Sequence, residues 1–209
     1  VTAATDRRRR RSEATRGKVG AALLGRPVAL FGEVVVVGLL VALFVLPIVT
    51  APAALAAGAA HLRRHLRGEP DRITAFLLDL ITAFRQGWVW CVGIGLAGFA
   101  VVFNLTAPAT SEVPGGEVVR WASIVFAFAG LIVVLRAAAG WTPGERWSDL
   151  IRGSAVASVA DPLGSLMIAV ACGMCGLIVW MFAPLIVLVP GLLVLAALAV
   201  TWRVNSPRP

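Results

Sequence analysis

Residues 27–68 hold the feature that most constrains this chain, an apolar run broken near its middle by two prolines. No charged side chain occurs from Val34 to Ala60, and the break falls in Leu46-Pro47-Ile48-Val49-Thr50-Ala51-Pro52-Ala53. Proline lacks an amide proton and biases the residue before it away from helix. The run therefore reads as two membrane helices joined in a hairpin by Pro47, Thr50, Pro52 and Ala53, or as one bent helix. That choice sets the side of the membrane on which every later loop lies.

The rest of the chain has the same character. It is 59% hydrophobic and only 14% charged, where soluble domains carry about a quarter. Several uncharged stretches reach the roughly 20 residues that a helix needs to cross a bilayer. The expected fold class is all-α, a polytopic transmembrane bundle with no room for a separate soluble domain. The net charge of +8 does not point to nucleic acid, because the arginines flank apolar segments and form no face with interleaved aromatics. Cys91, Cys172 and Cys175 all fall inside expected membrane helices. An odd number there argues against a disulfide framework. Cys172-Gly-Met-Cys175 has redox or metal spacing, but small thiols packing in hydrocarbon are the simpler account. No cofactor or metal site is expected. One lysine, no tyrosine and abundant Ala, Val, Gly and Arg suit a bacterial gene of high GC content.

Taken in order, residues 1–26 carry eight positive charges and read as a flexible basic tail drawn to anionic head groups. A first helix is expected over 27–46. Glu33, near its start, either snorkels to the interface or forms an intramembrane polar site. A second helix over 53–67 is rich in Ala and Gly, which permit close approach, so it should sit inside the bundle. It ends in His61, Arg63, Arg64, His65 and Arg67. Arg63, Arg64 and Arg67 could contact lipid phosphate or another anion, or act as an interfacial anchor.

Asp71 is a suitable N-cap for an amphipathic interfacial helix over 72–86. Ile73, Phe76, Leu77, Leu80, Ile81 and Phe84 fall on one side, and Arg72, Asp79, Thr82 and Arg85 on the other. Trp88 and Trp90 mark the head-group level where a membrane helix to about residue 105 begins. Another crossing spans 118–139. Thr142-Pro143-Gly144-Glu145 has the form of a capping box for a second interfacial helix over 145–160, which Asp161-Pro162 ends. The uncharged stretch 163–202 is twice the length of one crossing. A turn is expected at Ala183-Pro184, with Pro190 kinking the last helix.

Basic residues favour cytoplasmic loops. With six crossings and both termini inside, eighteen of the nineteen Arg and Lys residues lie inside and only Arg120 lies outside. With five, the five arginines of the first loop, Arg63 to Arg85, would move outside, so six is preferred. The cost is a second helix of about 16 residues, only about 24 Å long. Residues 27–203 then form one helical domain and 204–209 a short cytoplasmic tail.

Leu46 to Ala53, with Ala54 and Leu55 following, then Phe76 and Phe84-Arg85-Gln86, the pattern around Ala155 to Pro162, and the closing Pro184 and Pro190-Gly191 segment resemble the YesL-like family of bacterial membrane proteins of unknown function. The resemblance covers about 28–202. It implies an accessory role beside carbohydrate uptake in the bacterial inner membrane, with an importer permease as a candidate partner, and assigns no catalytic residues. A transporter or permease subunit is the alternative, using the Thr50 bend and a Pro190 kink to line a cavity. A homo-oligomer suits either. An enzyme is not expected. His61 and His65 share a helix face, but no acid lies between them, and Asp161 and Ser165 have no histidine close by in sequence.

Overall fold

The computed structural model describes residues 32–45, 48–69, 73–106 and 115–205. The basic tail, Pro47, the Asp71 cap and most of the loop after Thr106 lie outside these residues. Every element among them is helical: α1 (Gly32–Val45), α2 (Ala51–Arg67), α3 (Ile73–Thr106), α4 (Gly116–Gly140), α5 (Trp147–Ala160), α6 (Pro162–Met181), a 3-10 turn (Ala183–Val187) and α7 (Val189–Asn205).

The proline-broken run is a hairpin. Ile48 adopts φ +46, a left-handed conformation that a β-branched residue enters only under constraint. Around it Ile48 N–H donates to Val45 O at 2.8 Å and Ala51 N–H to Ile48 O at 3.1 Å. The Thr50 hydroxyl donates back to the Phe44 carbonyl, capping the exposed end of α1. Pro52 occupies the first turn of α2, where no amide bond is lost. Glu33 at the start of α1 meets His61 near the end of α2, so the two helices run antiparallel.

Helix α2 is the centre of the molecule, as its small residues suggested. Pro52 to Leu62 is buried without interruption, and the helix packs on α3, α4 and α7 as well as α1. A Cβ on Gly58 would lie 2.7 Å from Val41 of α1, with Val194 of α7 also in contact. Gly68, at φ +73, ends the helix by donating its N–H to His65 O, and Glu69 N–H donates to Arg64 O.

Three helices, α3, α4 and α6, are long and apolar enough to cross a membrane. Their outer faces carry exposed Leu96, Phe99, Val125, Phe126, Val170 and Trp180. Helices α1 and α7 are shorter and apolar.

The two helices expected over 72–86 and 88–105 follow one another within α3, separated by a kink at Gly87 (φ −125, ψ 24). Trp147 causes the break to be tolerated. Its indole ring lies where a Cβ on Gly87 would be, at 2.2 Å. Its Nε1–H donates to Ala83 O at 3.0 Å, the carbonyl that an unbroken helix would offer to Gly87. Two local expectations need correction. First, Thr142 does not cap α5. Gly144 at φ +100 turns the chain, and the helix starts at Trp147 after Arg146, with no side-chain cap. Second, Pro190 sits in the first turn of α7 and kinks nothing. The preceding reversal is the 3-10 turn that contains Pro184.

Helix α7 lies against α1 through glycine. A Cβ on Gly191 would stand 2.3 Å from Val34 O and 3.0 Å from Gly38 N, which only backbone movement could relieve. Gly191→Ala should therefore lower stability by about 1–3 kcal/mol. Gly176→Ala, where a Cβ meets nothing within 4 Å, should be neutral. Thermal unfolding of both in mild detergent checks this, and equal stability would remove the close α1–α7 crossing.

Candidate functional site: the polar end of the bundle

The start of α1, the end of α2, the first half of α3, the end of α4, the start of α6 and the end of α7 meet at one end of the bundle. Side-chain bonds tie them to each other. At the opposite end, Asn104 near the end of α3 donates to Ser123 near the start of α4 at 2.6 Å. The ion pairs between helices thus gather at one end, where two separate polar centres form.

Glu33, His61 and His65 make up the first centre. The i, i+4 spacing puts both imidazoles on one face of α2, and α1 brings Glu33 to that face. One carboxylate oxygen is 2.6 Å from His61 Nε2, and the other is 3.8 Å from His65 Nδ1. With Glu33 ionised, its carboxylate can only accept, so His61 Nε2–H is the donor. The His61 side chain is 2% exposed and that of Glu33 19%. Phe76 of α3 closes the site, edge-on to the His61 ring at 6.1 Å. Glu33 thus faces inward onto histidines and does not snorkel.

Beside it, the arginines at the end of α2 divide their roles. Arg64 pairs with Asp79 of α3 at 2.6 Å, both largely buried. Arg63 donates to the Trp141 carbonyl beyond the end of α4. Arg67 is exposed. Of the three arginines considered for an anion, two hold α2 to its neighbours and Arg67 faces outward.

Asp161 is the hub of the second centre. Its carboxylate accepts from Arg136 of α4 at 3.2 Å and from Arg203 of α7 at 2.8 Å. It also caps α6 by accepting from Gly164 N–H at 3.1 Å. Ser165 receives a bond from Arg136 at 3.3 Å and donates to Ser158 O at 2.8 Å. Gly164 makes room for the pair, since a Cβ there would fall 2.0 Å from Asp161 Oδ2 and 2.6 Å from Arg136 Nη2. Arg136 is 8% exposed, so this is a buried cation with a dedicated partner.

The sequence did not reveal this centre, because its members lie 25 and 42 residues apart. The one local signal was Asp161-Pro162, which is both the end of α5 and the capped start of α6. Of the hairpin residues, Thr50 closes the turn and Ala53 is fully buried. The three cysteines are free. Among the described residues, no trio of His, Cys, Asp or Glu is arranged to hold a metal ion. Chemically, the polar end is a set of ion pairs and capped helix ends that join six helices. Comparison with protein-family models, curated proteins and solved structures finds no match for the chain.

The Asp161 carboxyl is held below the usual carboxylate range, first by the Gly164 amide and then by Arg136 and Arg203. A depressed folded-state pKa contributes stability above the unfolded value and loses it as pH falls through the folded one. Asp161→Asn should therefore be less stable than the parent at pH 7. The gap should narrow as pH drops below about 4, the ordinary carboxylate value. Paired melting curves from pH 7 to pH 3 test this, and a gap independent of pH would remove the charge from the argument.

Proposed function

We propose that this chain is a six-crossing protein of the bacterial inner membrane with both termini cytoplasmic. In this reading it acts as an accessory or scaffold component of carbohydrate uptake, beside an importer permease, and performs no catalysis itself. One observation carries the scaffold reading. Among the described residues, Asp, Glu, Lys, Arg and His are absent from 34–60, 88–106, 121–135 and 166–202. The ionisable groups that remain near the core are paired at one end. Proton- and ion-coupled carriers keep such groups along the pathway.

Two further features favour a scaffold over a permease subunit. The Thr50 bend is closed by its bond to Phe44, and Pro190 opens α7 without kinking it. The membrane placement rests on spacing. Exposed Trp121 and Trp180 stand 15 residues along their helices from Arg136 and Ser165, about 22 Å at 1.5 Å per residue. That puts an aromatic belt opposite the ionic end. The sugar-uptake association is carried by the YesL-like resemblance of Leu46 to Ala53.

Two experiments test the proposal. In a background without the native cysteines, Glu69→Cys should be shielded from an impermeant thiol reagent in intact cells. Ready labelling would reverse the orientation. Purification from the native membrane in mild detergent should recover a sugar importer permease in stoichiometric amount. Recovery of this protein alone would move the weight to an independent carrier.

A further inference from the structure

A groove runs along the bundle at the end away from the ion pairs. Pro52 and Leu55 of α2 form its floor, and Ala97 and Gly98 of α3 and Phe126 and Gly130 of α4 form its walls. Its volume is about 330 Å³ and every lining side chain is apolar. Ala97, Phe126 and Gly130 are exposed, so it opens sideways between α3 and α4. Glycine leaves the space. A Cβ on Gly130 would meet nothing within 4 Å, and one on Gly98 would only touch Ile48 at 4.0 Å. Pro52 contributes no N–H to the floor, so the groove offers a ligand no hydrogen bond there.

The geometry points to this groove as a binding site for an acyl chain of a membrane phospholipid from the leaflet bordering the Thr50 turn. The inference rests on the membrane reading above. Size selects the occupant. An apolar cavity of about 150 Å³ stays dry and accepts benzene, so about 330 Å³ suits a hydrocarbon segment of roughly a dozen carbons. A helix 10–12 Å across, laid along the two turns from Ile94 to Val101, would need on the order of 800 Å³. Depth agrees with size. The groove lies alongside the apolar middle of α3 and α4, on the Thr50 side, where the surrounding solvent is hydrocarbon. The acyl chain would lie in the gap between α3 and α4, over Pro52 and Leu55.

The test uses the full chain in liposomes of phosphatidylethanolamine and phosphatidylglycerol, with a photoactivatable diazirine at mid-chain in the acyl tail. Adducts on Val101 and Phe126 should exceed those on Met174 and Trp180, on the exposed face of α6, several-fold. Gly130→Leu fills the groove and should lower the groove adducts several-fold while leaving the α6 adducts unchanged. Ala97→Leu does the same from the other wall should Gly130→Leu not fold. Equal labelling of groove and α6, or no effect of either filled variant, overturns the site while leaving the membrane reading standing. Absence of adducts at both places overturns the membrane reading itself. A photo-crosslink from Phe126 to a second copy of the chain gives the groove to a dimer and also overturns the proposal.

Discussion

The structure depends on one helix of small side chains being buried on every side. Helices in a bilayer gain little from hiding apolar surface, since lipid tails are as apolar as the side chains they replace. Close backbone approach is what rewards them, and α2 is built for it. Ala53, Ala54, Ala56 and Ala57 are fully buried, and Gly58 lets Val37 and Val41 of α1 reach its backbone. Dispersion over short distances is then the main cohesion. It orients a smooth helix poorly, so position and rotation must be set elsewhere.

The ends of α2 set them. At one end the Thr50 hydroxyl fixes the turn to Phe44. At the other, His61, Arg63 and Arg64 reach α1, the end of α4 and α3 respectively. Each bond is directional, and each would leave a poorly solvated partner if broken, which costs more than an exposed ion pair contributes. The Asp161 centre repeats the arrangement for α4, α6 and α7. Placing both centres at one end, with apolar helix beyond, keeps charge out of the hydrocarbon and still specifies which helix lies beside which. Polar contacts near the interface choose the neighbours, and small residues along the helices allow them to close.

How much of this was legible in the sequence follows from the range of the interactions. Pro47 and Pro52 announce the hairpin locally, and the Ala-rich run from Ala53 announces a buried helix, because both effects act within a few residues. The stripe of Phe76 and Leu80 is likewise local, and both are buried. Ile73 and Ile81 from the same apolar face stay exposed, since periodicity shows that a face is apolar but not whether protein or lipid covers it. The boundary at Gly87 was legible locally, in the change from an amphipathic pattern to an apolar run at Trp88, but the Trp147 ring that packs there comes from sixty residues later. The capping box failed for a local reason that outweighed another: Gly144 takes a positive φ, and the turn it makes ends before the helix begins. Glu33 was singled out, and His61 and His65 were noted together, but the hairpin that joins them had to be seen in three dimensions.

The length of α2 then finds its explanation. At 17 residues it is only about 26 Å long, short of the roughly 30 Å hydrocarbon core. A helix that short facing lipid would have to thin the bilayer or pull charged ends toward water. Here its neighbours enclose it, so in a bilayer the mismatch would be met by protein. Arg64 therefore has no need to reach for water and pairs with Asp79 instead, while Arg63 bonds a main-chain carbonyl. Burial of a short central helix and inward pairing of its arginines are two sides of one arrangement. The longer helices α3 and α4 pack against it, and with α6 they are long and apolar enough to cross a bilayer.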